Sequence, residues 1–520
     1  MPEEAHATHE DVVIAGAGPN GLMIARELAL AGIRPLVLDQ LPGPSDEPKA
    51  NGLVGQVIRL LDLRGLYQEL GGPPGAPQPI PGFTFSGLPL SFAGVVDNPM
   101  HALLIPQPRL VRALEKQVRG AGLTIRWGHE VTDLVQHDGH VSLTVAGPDG
   151  PYPLTTRYLV GADGGRSRIR KQAGIGFPGT TSDEVLRLAH VSFPEEFRTP
   201  EGWFAIPGFG SVPFGHSRFE NGMLVFGEFE RGRALIGTME FAGDPVPDDV
   251  PVTLAEVRES VRRVVGVDLP LAPPRGDGPR ALRRINGQNT RQAQRYRSGN
   301  VFLVGDAAHV HSAMGGPGLN LGLQDAANLG WKLAAQVNGW APAGLLDTYH
   351  TERYPVGERV MAQSMSQTAL MAPGAEVTAL RGLFAELVKE PAVAGRLAHT
   401  LAGSDVRYDV GNDHPLSGRL VPELSLGTGG RVADLMHTAR PLLLDFADGA
   451  FAQAVCSWRT RVDVVVAPSP DSPAAALLIR PDGYVAWAAD GTAIADVDAL
   501  QHAVARWFGR PPDAEPVSAG

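Results

Sequence analysis

The chain has one cysteine, Cys456, among its 520 residues. A lone thiol can build neither an internal disulfide framework nor a CxxC redox pair, so a reducing, cytoplasmic setting is expected. Positive charge is in the minority: 45 Lys and Arg against 56 Asp and Glu leave a formal charge of −11. No basic run offsets this, which disfavours nucleic acid and anionic membranes as partners, since both bind through clustered cations. No apolar stretch approaches the roughly 18–20 residues that span a bilayer. The opening MPEEAHATHE is polar and acidic, unlike the apolar centre of a signal peptide. Internal repeats, a Ser/His/Asp arrangement and a paired-carboxylate site are also absent. What is present is a globular composition, 43% hydrophobic and 19% charged, in a chain long enough for two or three domains.

The segment VVIAGAGPNGLMIARELALAGIRPLVLDQ, Val12 to Gln40, carries the most information. An apolar run ends in Gly16-x-Gly18-x-x-Gly21, with Pro19 and Asn20 between the last two glycines. A helical pattern follows, then a second apolar run ending in Asp39-Gln40. This is the pattern of a βαβ unit around an ADP moiety. Gly16 permits the tight turn, Gly18 lets backbone approach a pyrophosphate, and Gly21 lets helix and sheet pack closely. The pyrophosphate is expected at the helix N-terminus, where free N–H groups and the dipole favour an anion. Asp39 is placed to accept hydrogen bonds from ribose hydroxyls.

Two later segments bear on which dinucleotide is bound. In YLVGADGGRSRIRKQAGI, Tyr158 to Ile175, an apolar run stops at Gly161 and Asp163-Gly164 opens a helix-like stretch. In NVFLVGDAAHVHSAMGGPGLNLGLQDAANLGWKL, Asn300 to Leu333, a strand-like run leads into Gly305-Asp306, a glycine-rich loop and a long helix. With these three motifs in this order and spacing, the chain resembles the group A flavoprotein monooxygenases of the para-hydroxybenzoate hydroxylase fold. The resemblance covers roughly residues 10–400. Including the C-terminal extension, it is nearest to hydroxylases of aromatic polyketides such as anthracyclines and angucyclines.

The resemblance implies FAD as cofactor, NADPH or NADH as reductant and O2 as co-substrate. It also implies oxygen transfer from a flavin C4a-hydroperoxide to a small aromatic substrate, a polycyclic polyketide or related phenol. A Baeyer–Villiger or other oxidative rearrangement, or a non-oxygenating FAD protein, is the alternative. By the same resemblance Asp306 holds a ribityl hydroxyl, and Gly315, Gly316 and Gly318 let backbone lie against the flavin ring. Leu319 and Asn320 then supply N–H groups, and the helix they begin turns its positive end to the ring, favouring its reduced, anionic form. Gln107 is a further FAD contact, with Arg109 close by in sequence. Lys49 stands where the family usually has arginine, which alters phosphate recognition because lysine lacks the planar fork. Asp163 belongs between flavin phosphates and coenzyme path, and Val131 offers backbone to adenine. Ala313 replaces a usual proline of the flavin loop, and Met314 and Pro317 replace small and polar residues. The Ala313–Gly316 loop is therefore the expected reaction face, with no catalytic base assigned.

The expected fold is α/β. A Rossmann-like FAD-binding domain comprises residues 10–180 and 280–399, with an inserted β-rich substrate domain at 181–279. A thioredoxin-like C-terminal domain without CxxC follows at 400–520. The insertion reads as short strands such as MLVFGEFE and ALIGTMEFA between turn residues. Phe204, His216, Arg218, Phe226 and Met314 are the candidate substrate contacts. His309 and His311 form an HxH pair, but no third ligand is near and the loop belongs to the flavin motif, so no metal is expected. GWFAIP at Gly202–Pro207 lacks both tryptophans of the halogenase signature. A monomer or homodimer is expected.

Overall fold

A computed structural model describes residues 8–511 except 48, 229, 242–245, 278–279, 428 and 468–471. The apolar run before Gly16 is the strand Thr8–Ala15, and the one ending in Asp39 is Leu36–Asp39. They pair in parallel, Val13 opposite Leu36, so a crossover must join them, and the helix Pro19–Leu30 does so. Pro19 opens that helix at no cost, because the first N–H groups of a helix have no partner within it. Its buried face packs against the helix Pro317–Val337, where a Cβ on Gly330 would lie 2.5 Å from that of Glu27.

The strands Arg297–Ser298, Val301–Leu303, Gly150–Gly161, Thr8–Ala15, Leu36–Asp39 and Ile125–Trp127 follow in that order across one sheet. Glu130–Gln136 and Val141–Gly147 extend it through the long strand Gly150–Gly161. Gly16, Asp163 and Gly305 all lie at the carboxyl ends of adjacent parallel strands, the edge where open α/β sheets bind ligands.

The insertion forms a separate five-stranded antiparallel sheet, in the order Gly215–Phe219, Gly222–Gly227, Ala234–Glu240, Val185–Val191, Leu282–Asn286. Its last strand comes from beyond residue 279, so the sheet is closed by the chain's return to the nucleotide fold. The helix Leu254–Val265 packs on one face through Val257, Val261 and Val264. The other face is turned toward the nucleotide domain.

After Pro317–Val337 the helix Asp347–Met371 runs through Pro355, and two further helices, Ala375–Leu387 and Pro391–Ala402, follow. The C-terminal sheet has the order Asp463–Val466, Leu442–Asp445, Ala476–Ile479, Val485–Ala489. The first pair is parallel and the rest antiparallel, the thioredoxin-like arrangement. Gly483, at φ +84°, makes the hairpin between the last two strands. The helix Ile494–Phe508 buries Leu500, Val504 and Trp507 and ends at Gly509. This unit is tied to the nucleotide domain by charge: buried Arg480 donates to both Glu352 oxygens, at 2.6 and 2.8 Å, and Lys332 donates to Glu352 at 2.7 Å. Among the described residues no helix is long and apolar enough to cross a membrane.

Candidate active site

A cavity of about 1190 Å³ runs from the carboxyl edge of the parallel sheet to the inner face of the inserted sheet. At its nucleotide end the three glycines do different work. Gly16 has φ +114°, and a Cβ there would meet the Ala162 carbonyl at 2.4 Å. One on Gly21 would lie 1.9 Å from the Gly16 carbonyl oxygen, so Gly21 is buried in the packing and does not line the cavity. A Cβ on Gly18 would meet nothing within 4 Å. Gly18 is thus bare toward open space at a helix N-terminus, the cradle that a pyrophosphate requires. Asp39 closes this turn by accepting from Ala17 N–H at 2.7 Å and Leu41 N–H at 2.8 Å. Its carboxylate still borders the cavity, beside Pro19 and Gln40.

Polar atoms await partners on both sides of this cradle. Asn20 is wedged against Gly305 and Gly322, where added Cβ atoms would lie 1.9 and 2.4 Å from its amide, and its Oδ1 is buried without a hydrogen bond. Asp163 Oδ2 accepts from the N–H groups of Arg168 and Ile169, at 2.7 and 3.1 Å, at the start of the short helix Arg168–Gln172. Its Oδ1 is buried and unpaired. Asp306, on the turn Gly305–Ala307, is exposed to the cavity. Val131 is buried beside a register shift in its strand and also borders the cavity. These residues fit FAD: a bare glycine turn, an acid for each sugar-like hydroxyl set, and unsatisfied buried oxygens between them.

The flavin loop turns sharply, with Gly315 and Gly316 at φ +78° and +67°, before Pro317 starts its helix. Pro317 has no N–H, so Gly318 and Leu319 carry the unpaired amides of the first turn, and both face the cavity. Asn320 serves differently from the expectation. It stands a turn inside the helix and away from the main cavity; its Oδ1 accepts from Val54 N–H at 3.1 Å and its Nδ2 donates to the Gly316 carbonyl at 2.9 Å. It therefore pins the loop to the strand Gly52–Val54. Gln107 opens the helix Gln107–Gly120 and faces the cavity. Lys49 lies at the exposed mouth, 3.6 Å from Glu47.

The inserted sheet walls the other end, and strand register decides which side chains do so. One row reads His216, Val225, Gly237, Leu188, and the next but one reads Arg218, Met223, Met239, Leu186. With a side-chain period of two these share the face toward the flavin loop. Met314 packs on Leu186, Met223 and Met239 from the loop side. The intervening rows point to the helix Leu254–Val265. Phe226 accordingly reaches the cavity edge, but its ring stacks on Phe204 with centroids 5.4 Å apart. Phe204 is fully buried in that aromatic core and touches no part of the cavity, so its expected substrate role gives way to packing. Arg218 is drawn off the wall by better partners: it donates to the Ala372 carbonyl at 2.9 Å and to Thr378 Oγ1 at 3.0 Å. His216 remains, facing the cavity, its pKa pushed down to about 4 by desolvation. It is neutral at physiological pH.

The HxH pair divides. His309 Nε2 is 2.6 Å from Asp325 Oδ2, and Arg353 Nε donates to the other Asp325 oxygen at 2.7 Å, all fully buried. Asp325 also accepts from Gly305 N–H at 3.3 Å, so this cluster anchors the Gly305-Asp306 turn from below. Attraction to Arg353 and His309 outweighs burial and holds the Asp325 carboxyl below its usual range. His311 borders the cavity, and burial lowers its pKa. Sequence reasoning missed Leu186, Leu188, Met239 and Gln288, whose cavity position follows only from register and loop path. It also passed over Arg166, Arg168 and Lys171, visible as charges beside Asp163 but without a periodic cue.

The geometry fits a dinucleotide-binding protein with an apolar chamber beside the nucleotide cradle. Comparison carries this further: an FAD binding domain model matches residues 9–364, and an aromatic-ring hydroxylase C-terminal model matches residues 414–511. The chain belongs to the FAD-dependent aromatic-ring hydroxylases and is an FAD-dependent monooxygenase. It is 40% identical over 516 residues to 12-dehydrotetracycline 5-monooxygenase/anhydrotetracycline 6-monooxygenase of Streptomyces rimosus, covering 96% of this chain and 99% of that one. A rifampicin monooxygenase of Streptomyces venezuelae is 38% identical, with 96% and 98% covered. The crystal structure of an aromatic hydroxylase from angucycline biosynthesis superposes with a TM-score of 0.85 at 37% identity, covering 96% of this chain and 99% of that one. FAD, when bound, supplies the redox and oxygen-transfer chemistry, with NAD(P)H as reductant and O2 as co-substrate.

Proposed function

We propose that the chain oxygenates a polycyclic aromatic polyketide, or a related phenolic natural product, with NADPH as preferred reductant. The observation that carries this reading is the chamber itself. The loop Ala313–Gly316 faces a wall of Leu186, Leu188, Met223, Val225 and Met239, with Leu188 filling the space over Gly237 and His216 among the few polar groups. A flat fused-ring molecule matches that surface, and an apolar wall excludes the water that would intercept oxygen transfer. Neutral His216 can accept a hydrogen bond from a phenolic hydroxyl or donate one to a ring ketone.

In this reading Gly16, Gly18, Pro19, Asn20, Gly21, Asp39, Gln40 and Val131 seat the ADP half of FAD. Lys49, Gln107, Asp163 and Asp306 border its phosphates and ribityl chain. Gly316, Gly318 and Leu319 meet the ring, with Asn320 bracing the loop. The domain division is 10–180 with 280–399, 181–279 and 400–520, in a cytoplasmic monomer or homodimer.

The test uses anhydrotetracycline and an angucycline-type phenol as probes. Either is expected to accelerate NADPH oxidation and to lower the peroxide released per NADPH. If neither changes the NADPH rate, the peroxide yield or the flavin absorbance, the proposed substrate class is wrong.

A further inference from the structure

Methionine is scarce in the chain, 10 of 520 residues, yet four of these gather in one buried cluster: Met223, Met239, Met314 and Met371, packed with Leu186. Three of the four border the cavity. Met223 and Met239 are register partners on neighbouring strands, and Met314 comes from the flavin loop opposite them. Met371 is turned away: it does not border the cavity, and the Arg381 guanidinium donates to its Sδ at 3.6 Å. Met223 and Met239 thus belong to the chamber wall, and Met314 packs against them from the flavin loop.

We propose that Met314, Met223 and Met239 form an oxidisable thioether site that captures hydrogen peroxide generated within the cavity when no substrate is present. The inference rests on the oxygen chemistry of the family and not on the identity of the substrate. Uncoupled turnover supplies the oxidant: NADPH, a proton and O2 give NADP⁺ and H2O2. A sulfur lone pair attacks one peroxide oxygen, the O–O bond breaks, and the proton on the attacked oxygen passes to the second oxygen, which leaves as water. Sulfur is oxidised by two electrons and the thioether becomes a sulfoxide. The product is polar and larger, and it disrupts the apolar surface that holds the substrate. Substrate-free turnover thus removes the apolar surface that productive turnover needs.

Met365 supplies the internal reference, being 47% exposed to solvent. The holoenzyme is turned over with NADPH under ¹⁸O2 without substrate, with and without catalase, and peptides are analysed by mass. A second sample of resting holoenzyme receives reagent hydrogen peroxide. Labelled oxygen is expected in Met314, Met223 and Met239 several-fold above Met365 during turnover, persisting with catalase. Bulk peroxide is expected to reverse the order, with Met365 first and Met371 protected in both samples. The proposal is overturned if Met365 leads during turnover, if catalase protects all sites alike, if the sulfoxides carry no label, or if turnover releases no peroxide and oxidises no methionine.

Discussion

The two ends of the cavity are built on opposite plans. At the nucleotide end glycine removes side chains so that backbone can meet the ligand, and a fully buried charge cluster fixes the turn from below. At the substrate end side chains make the surface, and much of it is methionine and aliphatic carbon without hydrogen-bond demands. A site for an invariant cofactor gains from rigidity, because its polar atoms must meet fixed partners. A site for a large fused-ring substrate gains from unbranched, polarizable residues that adapt in shape. Retention of the cofactor and choice of substrate should therefore be separable by mutation.

The sharpest way to break that comparison is at Gly21. Gly21→Ala forces a methyl into the Gly16 carbonyl and should yield protein with almost no bound flavin and a lowered melting temperature. Gly18→Ala adds the same methyl in open space, so it should keep the melting temperature of the apoprotein and lose only FAD affinity. Equal thermal loss in both variants would show that Gly18 is a packing residue too.

Arg353→Met removes the guanidinium partner of a buried carboxylate and leaves it His309 and the Gly305 N–H. It should cost about 3–5 kcal/mol of stability in urea unfolding, because Asp325 is left charged or protonated in the core. The same change should loosen the Gly305-Asp306 turn and lower flavin affinity. A loss near zero would mean that the cluster does not hold the turn.

These two predictions also mark what was legible in the sequence. Glycine spacing and a strand-terminal acid are local signals, so Gly16, Gly18, Gly21 and Asp39 could be read from residue order alone, whereas Asp163 and Asp306 took their expected roles from the family resemblance. The alternation of strand and helix around the first glycine motif was local in the same sense. The Asp325–Arg353–His309 cluster was not, since its members pair across 28 and 16 residues of sequence. The substrate wall was illegible for another reason: one step of register separates a chamber residue from a core residue. Phe204 looks like a pocket aromatic in sequence but is buried on the helix-covered side, where Phe226 stacks on it and reaches only the cavity edge, while Met239 and Leu188 fall on the chamber side. Arg218 shares a face with His216, yet carbonyls after the helix Asp347–Met371 claim it.

Asp306→Ala should weaken FAD binding by more than about tenfold, since a hydrogen bond to a charged acceptor contributes about 1.5–3 kcal/mol. An unchanged dissociation constant, measured by flavin fluorescence, would leave Asp306 with a turn-forming role only. At the substrate end the corresponding probe is pH. The His216 pKa is depressed from 6.5 to about 4 in the folded protein, so the unfolded chain binds the extra proton between those values. Its contribution to stability is complete above pH 6.5 and is lost as pH falls toward 4. His216→Gln should flatten that part of the acid limb while leaving flavin content intact. A pH–stability curve superposable on wild type would show that His216 is not desolvated.

The smallest effect is expected at Ala313. Ala313→Pro fixes φ near −65° in the loop that faces the chamber, whereas the ADP half of FAD is held elsewhere. It should change peroxide released per NADPH by about twofold or more and leave FAD affinity within about twofold, well below one factor of ten in binding. Equal coupling in both proteins would remove Ala313 from any role at the reaction face.

Retention of flavin and choice of substrate meet in one reaction, and isotope transfer reports on it directly. The holoenzyme is supplied with NADPH, ¹⁸O2 and a polycyclic phenol such as anhydrotetracycline, and the product is analysed by mass spectrometry. One atom of ¹⁸O per product molecule, formed in step with NADPH consumption, is the expected result. Consumption of NADPH with all of the label in peroxide or water, and none in the organic product across a panel of such phenols, would contradict the assignment of this chamber to aromatic polyketide oxygenation.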